Sequence, residues 1–337
     1  MFTASFFRSA LRPLFVSALF LSAVAVFAQS PSAADGFDPN VDGNVYVLAT
    51  QADGKLLVAG QFTSLRPGVG ASAIRNNLAR LNPDGSVDAT FDPNANGPIR
   101  ALVLQSDGRI VIGGDFTSLQ PNGAATTTTR NRVARLNANG TLDLTFNPNI
   151  SGGTLPQVNA LAVQPNGKLV VGGRFTTVQP GTTPAARNHV ARFNADGSLD
   201  AAYNPNPNSI VLALVSQLEA SNFSGTPRAA VGDGKIVIAG GFTSLQPSAT
   251  GVVTTRNRIA RLNANGTVDS EFDPNANNAV AALAVQRDGK IILGGSFSTL
   301  QPPGNENSAT RNRLARLNAN GTLDSEFYPN FRGNVVA

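Results

Sequence analysis

Apolar runs of six or seven residues recur along the chain, and nearly every one is followed by an Asp-Gly or Asn-Gly dipeptide and then by a second apolar run. This dipeptide between two apolar runs is the strongest short signal for a β-hairpin, because both turn residues need positive φ. No long stretch carries the i, i+3, i+4, i+7 apolar spacing of an amphipathic helix. The pattern therefore predicts an all-β protein built from short antiparallel strands.

The hairpin belongs to a repeat of about fifty-five residues that occurs five times. In the first copy the second apolar run reads DGKLLVAGQF, and a segment of the form RN-x-x-AR-x-N follows it in every copy. We name the four predicted strands of each copy A to D in chain order, with strand D following a second Asp-Gly or Asn-Gly turn, as in SVDATF (86–91). The copies span about 45–94, 99–149, 158–206, 211–275 and 280–330.

Strands A and B are apolar at nearly every position, which predicts strands covered on both faces, whereas strand D alternates. A single four-stranded sheet cannot bury both faces, so neighbouring copies must stack. Four strands in a repeat of about this length fit the blade of a β-propeller better than the shorter coil of a β-helix. We therefore predict a β-propeller of four-stranded antiparallel blades, with about five repeats visible.

The two ends of the repeat region leave the closure of the ring open. ADGFDPN (34–40) resembles the end of a strand D with no blade before it, and residues 331–337 resemble the start of a further repeat. Either further blades have been cut away and the ring is incomplete, or these end segments pair with each other to close it.

Two sets of residues are expected to be structural. An arginine of strand C and an aspartate of strand D lie directly opposite each other when the connecting turn is centred on Asp84. Opposite charges across an antiparallel pair contribute about 0.2–1 kcal/mol, so these pairs are expected to fix the register and not to form an active site. The pairs are Arg80–Asp88, Arg135–Asp143, Arg192–Asp200, Arg261–Asp269 and Arg316–Asp324. The second set, expected to be buried between blades, contains the phenylalanines that follow strand B: Phe62, Phe116, Phe175, Phe242 and Phe297.

The first 28 residues differ in character from the rest of the chain. Arg8 and Arg12 precede an apolar run (14–28) that ends in small residues, which is typical of a secretory signal peptide. The run is shorter than the roughly twenty apolar residues that a membrane-spanning helix needs. We expect an exported protein with no transmembrane segment after signal cleavage, beginning with an N-terminal segment that carries a partial strand (29–44).

Composition limits the chemistry that the chain can perform. There is no cysteine, and the one histidine, His189, takes a position that is arginine in three other copies, so it is expected to be a tolerated surface variant. Asn82, Asp84, Ser86 and Asp88 have the alternate spacing of an EF-hand loop, but Pro93 stands where its bidentate glutamate would be, which favours a plain hairpin turn. We expect no catalytic residues, no cofactor and no metal.

Charge gives no indication of nucleic-acid binding. The net charge is +5, and it falls to +3 when Arg8 and Arg12 are removed with the signal peptide. Nucleic-acid binding needs a clustered basic patch, and the remaining charges are dispersed.

The motifs GG-x-F, RN-x-x-ARLN, DG and F-x-PN follow one another in this order through residues 37–330. In this the chain resembles the delta-60 repeat family, a group of bacterial β-propeller-like repeats. The resemblance implies the propeller fold and export. It supplies no activity, and therefore no catalytic residues.

The function expected from the sequence is that of an exported, non-catalytic scaffold: a binding or structural module of the cell envelope or the extracellular space. In an antiparallel blade the B–C and D–A connections share one face, and the B–C loops differ among the copies, so this face is expected to bind an unknown protein or glycan. An insertion between Gln217 and Asp233 is expected to project as a loop from the opposite face. The alternatives are a propeller enzyme, a lyase or hydrolase acting at the central channel, and a carbohydrate-binding module.

Overall fold

The structure is a computed structural model, and it describes residues 38–68, 71–217, 234–248, 251–302 and 308–329. Within these residues the regular structure is all β-strand except for one short 3₁₀ turn at Pro121–Gly123, as the hydrophobic pattern predicted. Some expectations concern residues outside the described ranges, namely the signal peptide (1–28), part of the N-terminal segment (29–37), the inserted loop (218–233) and the further repeat (331–337).

The strands fall into five groups, one for each blade. Blade 1 contains β1 (Asn44–Thr50), β2 (Leu56–Gln61), β3 (Ser64–Leu65), β4 (Ala73–Ile74) and β5 (Leu78–Leu81). Blade 2 contains β6 (Ile99–Leu104), β7 (Ile110–Gly114), β8 (Ser118–Leu119), β9 (Thr128–Thr129) and β10 (Val133–Leu136). Blade 3 contains β11 (Ile150–Ser151), β12 (Gln157–Val163), β13 (Leu169–Arg174), β14 (Thr177–Val178), β15 (Ala185–Ala186) and β16 (Val190–Phe193). Blade 4 contains β17 (Val211–Ser216), β18 (Ile236–Gly240), β19 (Ser244–Leu245), β20 (Thr254–Thr255) and β21 (Ile259–Leu262). Blade 5 contains β22 (Val280–Val285), β23 (Ile291–Gly295), β24 (Thr299–Leu300), β25 (Ala309–Thr310) and β26 (Leu314–Leu317).

The main sheet of each blade consists of strands A, B and C, with strand B in the middle and antiparallel to both neighbours. In blade 1, Val58 of strand B lies opposite Leu48 of strand A and opposite Ala79 of strand C. The predicted hairpin turns are present, but only their glycines have positive φ, for example 81° at Gly54 and 83° at Gly85; the preceding Asp or Asn, expected to share it, does not. Glycine adopts this left-handed conformation without the steric cost that other residues meet.

Strand D is reduced to a single bridge in every blade, so the sheet has three full strands and not four. In blade 1 the bridge joins Leu81 to Val87. The carboxylate of Asp88 then accepts hydrogen bonds from the N–H and the hydroxyl of Thr90, at 3.0 and 2.6 Å. This local hydrogen bonding turns the chain at residues 89–90, and it overrides the alternating pattern that predicted a longer strand.

The B–C connections contain a second, smaller sheet that the sequence did not predict. In each blade two short strands pair within the loop, as β3 and β4 do in blade 1. The D–A connection adds one more pairing to this small sheet, for example at Val41–Leu65 and Ala95–Leu119. The two connections on this face, which we call the loop face, are therefore held to each other by backbone hydrogen bonds.

The hydrophobic core lies between consecutive blades. Leu57 and Phe91 of blade 1 form one buried cluster with Ile110 and Ile112 of blade 2, and similar clusters join each later pair of blades. Strand A of each blade packs against strand A of the next, from β1 through β6, β12 and β17 to β22. The A strands thus form the inner row of the structure.

The paired small residues near the end of strand B mark a bulge. The register between strands A and B shifts at this point in every blade, for example between Val158 and Ala160 in blade 3. A side chain on Gly173 would place its Cβ 2.2 Å from the backbone oxygen of Gln157. Only glycine fits there, because the bulge brings the two backbones too close for any side chain.

Candidate functional site

The predicted arginine and aspartate pairs lie close together in all five blades. The Nε of each arginine lies 2.8–3.0 Å from an aspartate oxygen. In four blades the lysine that begins strand B contacts the same carboxylate at 2.7–3.2 Å, and these lysines are Lys55, Lys168, Lys235 and Lys290. Each aspartate thus balances two cations in these blades, a cluster larger than the expected pair.

The same arginines also join neighbouring blades, which the sequence did not predict. The Nη1 of Arg80 donates to the backbone oxygen of Ala138, in the C–D turn of blade 2, at 2.5 Å. Equivalent bonds run from Arg135 to Ala195 and from Arg261 to Ala319, and Arg192 bonds to Ala264. Each guanidinium also lies over the aromatic ring that follows strand D, at 3.9–4.7 Å from the ring centre.

The aspartates are held in their charged form. Burial by itself would raise the pKa of Asp143, but hydrogen bonds from Thr145 and Arg135 outweigh it and leave that pKa below its ordinary value. The same balance lowers the pKa of Asp200, where burial is opposed by Lys168 and Arg192. A carboxylate held in this way is a poor proton acceptor, so these clusters have the properties of structural ion pairs.

The five phenylalanines of the second set lie in the core, and each is at most 3% exposed. Phe116 belongs to the cluster between blades 1 and 2, and Phe175 to the cluster between blades 2 and 3. Both sets of residues named from the sequence therefore lie inside and between blades.

The RN and PN motifs meet in space, and sequence reasoning missed this contact. The Nδ2 of Asn76 donates to Oδ1 of Asn94 at 2.7 Å, across the gap between a B–C loop and the following D–A connection. The same amide pair occurs in the next three blades at 2.7–2.8 Å. The constant spacing of eighteen residues between the two asparagines was the signal that could have predicted it.

The residue after each RN motif has positive φ, between 62° and 69°, in all five blades. In blades 2, 4 and 5 it is an arginine whose guanidinium donates to backbone oxygens at the end of strand B. His189 takes this position in blade 3, where it is half-buried and its Nδ1 lies 3.2 Å from the backbone oxygen of Gly173. Burial lowers the pKa of His189, so it is neutral at physiological pH. His189 thus contacts the backbone at the end of strand B and is half-buried, whereas the sequence led us to expect a surface variant.

The bulges create a row of positions where the blades differ chemically. The unpaired residue of each bulge lies at the loop-face end of strand A: Tyr46, Arg100, Asn159, Leu212 and Ala281. We call these five residues the inner rim, because the A strands form the inner row. The residue that follows the small pair of strand B varies as well, as at Gln61, Asp115 and Arg174.

Contacts fix several of these side chains. Arg100 makes two hydrogen bonds to the carboxylate of Asp115, at 2.8 and 2.7 Å, and its guanidinium lies 5.6 Å from the ring centre of Tyr46. The hydroxyl of Tyr46 donates to Gln61 at 3.0 Å. Arg174 is exposed, and within the described residues no carboxylate forms an ion pair with it. The loop-face end of the blades thus presents the ordered ring of Tyr46 and, beside the inner rim, the guanidinium of Arg174, which has no ion-pair partner among the described residues.

A polar cavity of about 390 Å³ opens on the loop face between blades 1 and 2. It is lined mainly by amide and hydroxyl side chains, including Asn76, Asn94, Asn96, Ser118 and Gln120. The lining offers hydrogen-bond donors and acceptors but no titratable group, so it suits binding and not acid–base chemistry.

The EF-hand-like residues are occupied with turn hydrogen bonds. Oδ1 of Asp84 accepts from the N–H and the hydroxyl of Ser86, at 2.9 and 2.6 Å, and Asn82 donates to the same hydroxyl at 3.0 Å. Across the part of the chain that the structure describes, no three His, Asp or Glu side chains form a group able to hold a metal ion.

No helix among the described residues is long and apolar enough to cross a membrane.

Five similar antiparallel blades, packed side by side with their A strands in an inner row, define a β-propeller repeat protein. The model of the family described as a domain of unknown function with a β-propeller fold, DUF5122, matches residues 51–91, 105–146, 164–203, 232–272 and 286–327. The chain belongs to this family.

Comparison with solved structures finds similar chains. The chain is similar to the WD40 propeller domain of Doa1, with 15% identity, a TM-score of 0.42, and coverage of 85% of this chain and 83% of that one. It is also similar to virginiamycin B lyase from Staphylococcus aureus, with 12% identity, a TM-score of 0.46, and coverage of 83% and 72%. No curated protein sequence matches the chain.

Proposed function

We propose that this protein is an exported, non-catalytic scaffold that binds a protein or glycan of the cell envelope or extracellular space through its loop face. The observation that carries the proposal is the distribution of differences among the blades. The ion-pair clusters, cores and turns repeat with little change, whereas the inner rim and the B–C loops differ in every blade. A repeated scaffold with one variable face is the usual arrangement of a recognition surface.

The chemistry of the loop face supports a polar or anionic partner. Arg174 provides a free positive charge within the described residues, and the cavity between blades 1 and 2 provides amides and hydroxyls. Tyr46 offers an aromatic ring on which a sugar could stack. The B–C loops themselves contain no aromatic residue in their sequences. The ring is already fixed by Gln61 and Arg100, so binding would cost little conformational entropy.

Export is supported by the sequence of the first 28 residues and by the resemblance to the bacterial delta-60 repeats. The non-catalytic character is supported by the engagement of the titratable groups. His189 contacts a backbone oxygen, and the strand D aspartates are neutralised by arginine and, in four blades, by lysine.

Export is tested by expressing the full chain in a bacterial host, fractionating the cells, and sequencing the N-terminus of the product. We expect protein outside the cytoplasm that begins near residue 29. An uncleaved chain that stays in the cytoplasm would refute the export part of the proposal.

Binding is tested by measuring retention of the purified chain on isolated cell envelopes and on an immobilised glycan panel. We expect Arg174→Ala and Tyr46→Ala to weaken retention. The matched control is Arg287→Ala, which removes an exposed arginine from an A–B turn at the opposite end of the blades. Equal effects of Arg174→Ala and Arg287→Ala would show that the loop face is not the binding surface.

A further inference from the structure

The residue after the RN motif has the same backbone conformation in every blade but a different side chain in blade 1. Its φ lies between 62° and 69° throughout. In blades 2, 4 and 5 this residue is an arginine, and its guanidinium lies against the end of strand B. In blade 1 it is Asn77, whose shorter side chain donates instead to the backbone oxygen of Ala95 at 2.8 Å. The place that a guanidinium takes in three other blades is therefore not filled by the equivalent residue of blade 1.

The acceptors at this place are backbone oxygens, so they recur in every blade. In blades 2, 4 and 5 the arginine donates through Nη1 to the oxygen of the residue that follows the small pair of strand B. Arg132 also donates to the next backbone oxygen, that of Phe116, at 3.3 Å. The equivalent oxygens of blade 1 belong to Gln61 and Phe62. The oxygen of Phe62 already accepts the N–H of Asn77 at 3.0 Å, but a carbonyl oxygen has a second lone pair for a further donor.

A cavity of about 270 Å³ lies at this place, and we call it the blade 1 cavity. It is lined by Gln61, Phe62, Thr63 and Asn77, together with Asp42 from the segment before strand A. It shares Thr63 and Asn77 with the polar cavity between blades 1 and 2, so the two adjoin on the loop face. The blade 1 cavity thus has the position of the arginine side chain of other blades and offers the same backbone oxygens.

Blade 1 also has a negative charge at this place. Asp42 accepts hydrogen bonds from the N–H and hydroxyl groups of Thr63 and Ser64, and these bonds hold its pKa well below its ordinary value. Among the described residues no lysine or arginine forms an ion pair with it. Its equivalents in blades 2, 4 and 5 are neutral amides that accept the same two backbone N–H groups: Asn96, Asn208 and Asn277. Compared with those blades, blade 1 lacks one positive charge here and has one additional negative charge.

We propose that the blade 1 cavity binds the guanidinium of an arginine side chain on a partner protein. The guanidinium donates to the backbone oxygens of Gln61 and Phe62, as the arginines of this chain do in the other blades. Four hydrogen bonds already occupy the lone pairs of the Asp42 carboxylate, so Asp42 attracts the guanidinium by its charge and not by a further hydrogen bond. The inference rests on the proposed function for the presence of a partner at the loop face, and it identifies that partner as a protein.

A protein surface fits this chemistry better than a glycan does. Cell-envelope glycans carry hydroxyl, amide, amino and acidic groups, whereas the guanidinium is the side-chain group of arginine. Arg174 on blade 3 attracts a negative group, and the blade 1 cavity attracts a positive one. A protein surface presents both charges, and its backbone can hydrogen-bond the amides and hydroxyls of the adjoining polar cavity.

The first test uses N-acetyl-arginine amide, which is a single arginine residue without terminal charges. The full chain is produced with nitrogen-15 labelling in a host able to export it, and the probe is titrated while NMR follows the backbone N–H signals. We expect saturable shifts at Thr63 and Asn77. N-acetyl-lysine amide has the same charge but lacks the planar group of five donors, so it should bind about threefold more weakly or less.

Two variants and a matched control locate the binding. Asn77→Arg fills the blade 1 cavity with a guanidinium of the chain itself, as in three other blades, and should abolish binding of the probe. Asp42→Asn gives blade 1 the amide of those blades and should weaken binding about threefold, since it removes one exposed charge. The control is Asp53→Asn in the A–B turn at the other end of the blade, where Asn166 of blade 3 makes the same turn hydrogen bond. It should leave binding unchanged. Circular dichroism verifies folding, and Asp42→Asn remains informative if Asn77→Arg does not fold.

The partner is tested separately by retention of the chain on isolated cell envelopes. Envelopes treated with phenylglyoxal, which modifies arginine side chains, should retain less of the chain, and Asn77→Arg should be retained less on untreated envelopes. The inference is overturned if the probe does not bind, if Asn77→Arg or the lysine compound binds equally well, or if phenylglyoxal leaves retention unchanged. Retention without probe binding would refute this inference alone. Probe binding as expected, with no retention of the unaltered chain, would support the cavity and refute the envelope partner of the proposed function.

Discussion

Tyr203 carries a hydroxyl that costs stability. It is fully buried between blades 3 and 4, and its ring lies 3.9 Å beneath the guanidinium of Arg192. Among the residues that the structure describes, no hydrogen-bond partner contacts its hydroxyl oxygen. The other four blades have phenylalanine at this position, so the site accepts a ring without the hydroxyl.

The substitution Tyr203→Phe removes the unpaired group and leaves the ring in place. Leaving a buried donor or acceptor unsatisfied costs about 1–3 kcal/mol, so the variant should be more stable by about that amount. Urea unfolding followed by circular dichroism measures the change as a higher midpoint with an unaltered slope. The reciprocal control is Phe272→Tyr, which introduces the hydroxyl between blades 4 and 5 and should destabilise by a similar amount.

The pH dependence provides a second readout. Burial raises the pKa of Tyr203 above its ordinary value of 10.0. In the unfolded chain the phenol ionises at its ordinary pKa, while the folded protein keeps it neutral. The free energy of unfolding of the parent protein therefore falls as the pH rises above about 10. The stability advantage of Tyr203→Phe should therefore grow at alkaline pH. A variant that is less stable than the parent, with a constant difference across pH, would show that the hydroxyl has a partner.

Three further predictions concern the bulge, the ion-pair clusters and acid stability. Gly173→Ala should destabilise by about 1–3 kcal/mol or more, because the new Cβ meets a backbone oxygen; Gly181→Ala, which meets nothing within 4 Å, should change the urea midpoint little. Arg135→Ala should cost about 3–5 kcal/mol in urea unfolding, since it removes the ion pair at 2.8 Å from the largely buried carboxylate of Asp143 and leaves Arg109 at 3.9 Å; a loss no larger than that of Arg287→Ala would contradict this. The strand D aspartates have lowered pKa values in the folded protein, so they stabilise it above their ordinary pKa and lose this effect as the pH falls through the lowered pKa. The urea midpoint should therefore fall as the pH is reduced from about 4 to about 2. A midpoint that stays constant over this range would refute the prediction.

Much of the candidate site could not be derived from the sequence. Strand A is apolar at nearly every position, and this pattern did not show that Tyr46 and Arg100 occupy the unpaired positions of bulges. The contact of His189 with the end of strand B depends on a positive φ, a conformation that ordinarily favours glycine or asparagine. An arginine or histidine at this position therefore gives no indication in the sequence that φ is positive. Strand D misled in the opposite way, because Thr90 donates hydrogen bonds to the carboxylate of Asp88 two residues earlier, which ends a strand that its alternation predicted.

The sequence by itself determined the five-blade repeat, the hairpin turns and the opposition of strand C arginines to strand D aspartates. All of these follow from short-range rules, namely a period of two along a strand and the positive φ of a turn glycine. Only the tertiary structure decided that the strand C arginines of blades 1 to 4 reach the turn of the next blade and that the RN and PN asparagines of those blades pair. Those contacts join segments that are close only after the blades stack, and a repeated sequence gives every blade the same signal whether or not a neighbour is present.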